Sequence, residues 1–151
     1  MKKIKKDSNR LILQAKKEGI IRYVAAAIIK RKDKILLLKR KKDDFMGGIY
    51  ELPSGKVDDN ESLLEGLKRE IKEETGLETL SVVKHIDTFD YLSKSKKPTR
   101  QFNFLITVNQ AKPVINLSEH EDYVWVNFNE INELNVTEKV KKILYKFCKQ
   151  K

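Results

Sequence analysis

The chain has a single cysteine, Cys148, in 151 residues. No intrachain disulfide can form, and no cysteine-based zinc cluster can be built. Long apolar runs are missing too. YVAAAII, at 23–29, falls far short of the roughly 20 residues that span a bilayer. The basic start, MKKIKKDSNR, leads into no sustained apolar stretch, so it does not read as a secretory signal. There is no internal repeat and no long low-complexity linker. Acids are scarce relative to bases, 22 against 32, which leaves a net charge of +10 and a pI near 9.6. These absences predict a soluble cytoplasmic protein with no membrane partner.

What is present suits one folded domain. Hydrophobic residues make up 40% of the chain, and the 36% that are charged are interleaved with them. A positive excess favours anionic partners such as nucleotides, nucleic acid or acidic surfaces. Lysine greatly outnumbers arginine, which fits a solvated surface better than bidentate phosphate reading.

Residues 8–18 read as a short helix, with Asp7 or Ser8 as cap and Gly19 beyond its end. IRYVAAAIIKR and KILLLKR read as two strands around a turn at Lys32-Asp33, at least one of them buried on both faces. The glycine- and proline-broken stretch 41–60 reads as a long loop, briefly extended near Glu51-Leu52. Asn60 is the expected cap of a helix that runs to Thr75 and stops at Gly76. Residues 80–92 and 99–109 read as a strand pair about a polar tip, and DYVWVNF as a further strand. Thr137 caps a last helix whose Val140, Ile143, Leu144 and Phe147 form an apolar stripe. The order predicts an α+β fold, a mixed sheet between helices in an α/β/α sandwich.

Against the scarcity of acids, residues 55–77, GKVDDNESLLEGLKREIKEETGL, carry five glutamates. On a helix, Glu70, Glu73 and Glu74 share one face, while Leu64, Leu67 and Ile71 share a neighbouring one. Like charges so placed repel by several tenths of a kcal/mol per pair, on the order of known i,i+4 effects. A hard divalent cation with oxygen ligands would offset that.

The same stretch has Gly55, five residues, Glu61, seven residues, Arg69-Glu70-Ile71, one residue, Glu73-Glu74, one residue, then Gly76-Leu77. At all nine fixed positions it resembles the signature of the Nudix hydrolases. The resemblance implies a Nudix domain over 20–151, preceded by a basic helical extension, 1–19. It implies magnesium-dependent hydrolysis of a diphosphate, commonly one linked to a nucleoside, with manganese able to substitute. Glu70, Glu73 and Glu74 would be metal ligands, and Glu70 or a neighbour the general base. Arg69 would orient a helix carboxylate. Glu61 would support the loop and helix, or touch metal through water. Gly55 would permit a tight loop, and the carbonyl of Ser54, where many relatives have glycine, could reach the metal. Gly76 would only stop the helix.

The second acidic patch, LSEHEDYVWV, offers Glu119 first and Glu121 second as a further ligand or base. His120 reads best as a lone surface histidine, His85 as structural and Trp125 as core. Tyr50, Phe45, Tyr91 and Arg100 flank loops that could line a substrate pocket. ELPSGK is similar to the ELPAGK-like run of sugar-nucleotide pyrophosphatases, but Pro98 lies too late for the ADP-ribose pattern. The short single-domain form suits a nucleoside triphosphate pyrophosphohydrolase equally, and a nucleoside triphosphate is the expected substrate, a small-molecule partner for a monomer or homodimer. ADP-ribose or nucleotide sugars, RNA 5′ ends and a non-catalytic nucleotide sensor are the alternatives.

Overall fold

The computed structural model describes residues 2–43, 46–109 and 112–149. Its elements are α1 (Lys2–Lys17), β1 (Arg22–Arg31), β2 (Lys34–Arg40), β3 (Tyr50–Glu51), β4 (Ser54–Lys56), α2 (Leu63–Thr75), β5 (Thr79–Leu92), β6 (Pro98–Val108), β7 (His120–Asn127), a 3-10 helix (Phe128–Glu133) and α3 (Glu138–Lys149). The sheet is mixed. Its main path runs β3-β2-β1-β6-β5, with β4 paired to β1 and β7 to β2. β1 and β6 are parallel, whereas β1–β2, β1–β4, β2–β7 and β5–β6 are antiparallel.

β1 shows why this becomes a sandwich. Side chains of a strand alternate between faces, and both faces of β1 are apolar. Ala25, Ala27 and Ile29 join Leu67 and Ile71 of α2 and Ala15 of α1 in one core. Ala26 and Ile28 join Val140, Ile143, Leu144 and Phe147 of α3 in the other. Leu67 and Ile71 are 0% and 1% exposed, and burying each stabilises the fold by about 1.5–3 kcal/mol. That burial fixes which way α2 turns its glutamates.

Three local expectations need correction. α1 begins at Lys2 rather than near residue 8, and neither Asp7 nor Ser8 caps it. Ser8 lies inside the helix, buried, and its Oγ donates to the Lys5 carbonyl at 2.8 Å. Ile4, Leu11, Ile12 and Ala15 lie on one face that packs on the domain, and this tertiary contact carries the helix past the expected start. α2 is capped by Ser62, not Asn60. The Glu65 amide donates to Ser62 Oγ at 3.1 Å, and the Ser62 amide donates to Glu65 Oε1 at 2.8 Å, a reciprocal box. The 3-10 helix after β7 was not foreseen in a strand expected to run through Phe128. At α2's other end the expectation holds: Gly76 sits at φ 70° and donates to the Lys72 carbonyl at 2.9 Å.

Candidate active site

The site forms where α2 crosses β4. Residues four apart lie one turn apart on a helix, so Glu70 and Glu74 both face the short strand. The Ser54 amide donates to Glu74 Oε1 at 2.7 Å. Ser54 thus lies beside Glu74. Gly55 pairs with Ala25 of β1. A Cβ on Gly55 would fall on the Glu70 carboxylate. Its backbone is not left-handed, since the positive-φ glycines are Gly19, Gly48 and Gly76. The glycine is required by the close approach of Glu70, not by a tight turn.

Arg69 organises the carboxylates around it. Its guanidinium donates to Glu61 Oε1 at 2.6 Å, Glu70 Oε1 at 2.8 Å, Glu73 Oε2 at 3.1 Å and the Lys56 carbonyl at 3.0 Å. The hydrogen bonds it donates to Glu61, and then the one to Glu70, hold the arginine far above its ordinary pKa. Glu61 is correspondingly held below the usual carboxylate range by Arg69. It also accepts the Asp58 amide at 2.8 Å, which ties the entering loop to α2. Glu73 is half exposed and reaches back along the helix to Arg69.

Glu70 and Glu74 behave differently. Burial raises the pKa of Glu70, and Arg69 partly offsets this. Glu74 is 5% exposed, and burial pushes its carboxyl up to about 9. The Ser54 amide opposes that shift, while Glu70, Glu119 and Glu51 add to it.

The opposite wall comes from β7 and the loop before it. His120 is 2% exposed, which overturns its reading as a surface histidine. Its Nε2 lies 2.8 Å from Glu51 Oε2, and Arg40 approaches Glu51 Oε1 at 3.3 Å. His120 Nδ1 has no hydrogen-bond partner among the described residues and stands 3.6 Å from Glu74 Oε2. Glu119 is exposed, and one ligand atom each from Glu74, Glu119 and His120 lies within 4.8 Å of the others. An unpartnered buried nitrogen beside mutually repelling carboxylates fits a cation. The structure therefore brings Glu119 to the site, together with Glu70 and Glu74. Glu121 is exposed on β7 and is not part of that group.

The remaining expected residues lie elsewhere in the fold. Arg100 is engaged by Asp90 at 2.7 Å and Glu18 at 2.7 Å. Tyr50 is half-buried in β3 and packs on the core beneath α3. Tyr91 approaches Arg22, with its hydroxyl 3.4 Å from the guanidinium. His85 meets the edge of Phe104, ring centres 5.4 Å apart, and Trp125 packs against the α2-side core. Phe45 lies outside the described residues. Glu51 was missed as a partner of His120. The only signal for it was its place two residues before Pro53, which does not point to a histidine 69 positions away.

The family model for a NUDIX domain matches residues 20–147. The chain belongs to the Nudix family. With its signature intact, this Nudix chain is an enzyme that hydrolyses diphosphate bonds. It is 32% identical over 112 residues to an 8-oxo-dGTP diphosphatase of Buchnera aphidicola subsp. Schizaphis graminum, a match covering 74% of this chain and 82% of that one. An RNA pyrophosphohydrolase of Ruthia magnifica subsp. Calyptogena magnifica is 33% identical over 129 residues, 74% of this chain and 70% of its own. The crystal structure of a MutT protein from Methanosarcina mazei Go1 superposes with a TM-score of 0.75 at 26% identity, over 88% of this chain and 96% of that one. Among the described residues, no helix is long and apolar enough to cross a membrane.

Proposed function

We propose that this Nudix enzyme hydrolyses a nucleoside triphosphate in the cytoplasm, using magnesium or manganese, as a monomer or homodimer. The observation that carries the reading is the crowding of three mutually repelling carboxylates, the buried Glu74 with the half-buried Glu70 and the exposed Glu119 beside it. Folding alone gives no return for crowding them. Glu70, Glu73 and Glu74 would hold the metal, with the Ser54 backbone completing an oxygen-rich set. A bound divalent cation neutralises diphosphate oxygens and lowers the pKa of a coordinated water.

The chain's own residues then have separable tasks. Arg69 holds Glu70 and Glu73 in place through charge-assisted bonds. Ser54 fixes one oxygen of Glu74 and leaves the other turned toward His120. Glu51 and Arg40 lock the His120 ring, which closes the wall behind Glu74. Glu119, exposed beside these groups, would take the proton of an attacking water, with Glu70 as the other choice. No covalent intermediate is needed.

The name of the Buchnera relative supports a purine triphosphate, while that of the Ruthia relative supports an RNA end. The likeness of ELPSGK to sugar-nucleotide enzymes weighs less, because its glutamate is occupied by His120 and Arg40. The test is a screen of nucleoside triphosphates, nucleotide sugars, dinucleotides and 5′-triphosphorylated RNA with magnesium, with products identified. Turnover confined to nucleotide sugars would overturn the triphosphate reading. Turnover of nothing, by a protein that binds nucleotide, would move it to a sensor.

A further inference from the structure

α1 lies outside the matched domain, and it concentrates charge. Its sequence, KKIKKDSNRLILQAKK, holds seven lysines and arginines against the single acid Asp7, +6 of the chain's +10. The helix is not a loose basic tail. Ile4, Leu11, Ile12 and Ala15 pack against the core over α2 and β5. That leaves the opposite side to solvent. Lys3, Lys6, Arg10 and Lys17 are all exposed, and their spacing of three, four and seven residues puts them along one stripe. At 1.5 Å per residue the stripe is about 21 Å long. Among the described residues none of the four has an ion-pair partner. Lys84 of β5 shares a groove with Lys3 and Arg10 and widens the patch, with Asp7 as the one opposing charge there. At the other end, Lys16 shares a groove with Asp58 and Glu61, in the loop that enters α2.

We propose that the outward face of α1 is a docking surface for the phosphate backbone of an RNA strand. A linear, unpaired cationic ridge matches a linear polyanion. A small nucleotide would use only one or two of these charges. A membrane surface fits poorly, because an amphipathic helix binds lipid through its apolar face and α1 has committed that face to the domain. RNA is the nucleic acid whose strands begin with a phosphoanhydride, the bond the neighbouring centre cleaves. The docking itself is a separate claim from hydrolysis and is tested separately.

The test uses the full chain and the variant Lys6→Glu/Arg10→Glu/Lys17→Glu, none of which lies in the catalytic machinery. Binding of a labelled 20-nucleotide single-stranded RNA is followed by fluorescence anisotropy from 25 to 200 mM salt. Four phosphate contacts give a slope of log K against log salt of about −2.8 for a single strand. The variant should bind at least about tenfold more weakly at 50 mM salt, with a slope shallower by about 2. Its melting temperature and its rate on a free nucleoside triphosphate should match the wild type. If the wild type turns over 5′-triphosphorylated RNA, the variant's kcat/KM on it should fall with the binding. Equal RNA binding by both proteins would overturn the proposal. So would tighter binding to DNA of the same length, or capture by phosphatidylserine vesicles at a salt concentration where RNA is not bound. Loss of hydrolysis with docking intact would instead strike at the active-site reading alone.

Discussion

Replacing Gly55 with alanine tests whether the geometry of Glu70 has been understood. The added methyl would occupy the position of the Glu70 carboxylate. The backbone has little room to yield, because Gly55 is paired with Ala25 of a buried central strand. Glu70 must therefore rotate away, which breaks its 2.8 Å contact with Arg69. Overpacking of this kind costs about 1–3 kcal/mol. In a chain of this length each kcal/mol lowers Tm by about 2–4 °C, so we expect a drop of about 2–12 °C in the metal-free protein. Turnover should fall at least about tenfold, since 1.4 kcal/mol in the barrier suffices for that. The decisive measurement is a double-mutant cycle with Glu70→Ala. Removing the carboxylate first should make Gly55→Ala nearly free, with a coupling of about 1–3 kcal/mol. A cost for Gly55→Ala that is the same in both backgrounds would put the strain in the backbone and not at the Glu70 carboxylate.

Glu74→Gln should lower turnover at least about a hundredfold at saturating magnesium, within the several kcal/mol a Lewis acid supplies; near-normal turnover would remove Glu74 from the site. Because the folded pKa of Glu74 is raised to about 9 from 4.5, its stability contribution is complete below pH 4.5 and is lost as pH rises through 9. Metal-free protein should therefore melt lower at pH 8.5 than at pH 6, by at most about 1.4 kcal/mol per pH unit, and excess magnesium should shrink the difference. A metal-free Tm flat with pH in wild type and Glu74→Gln alike would contradict this. Glu119→Gln should depress kcat with little change in KM, whereas Glu121→Gln should leave both unchanged; equal small effects would return the base role to α2. His120→Ala should cost about 1–3 kcal/mol in urea unfolding, because it leaves Glu51 without its buried partner; an unchanged midpoint would show the contact to be idle.

Local periodicity made much of this protein legible. The signature spacing placed Glu70 and Glu74 on one side of a helix because 3.6 residues per turn is a property of the backbone itself. The short continuous apolar runs of β1 and β2 marked strands buried on both faces, and the 3.6-residue stripe of α3 marked a helix. Three features depended on contacts between residues far apart in sequence, which no local pattern encodes. Gly55 looked like a turn glycine, but its need arises from a carboxylate fifteen residues on. His120, flanked by acids in a polar loop, looked exposed. It is buried because β7 pairs with β2 and brings it against Glu51, 69 positions away. Arg69 was expected to steer a helix carboxylate. It holds two of them, Glu70 and Glu73, and gathers Glu61 as well, because the loop before α2 folds back onto the helix. Composition fixed the net charge. Only the packing of α1's apolar face determined that its cations point together into solvent.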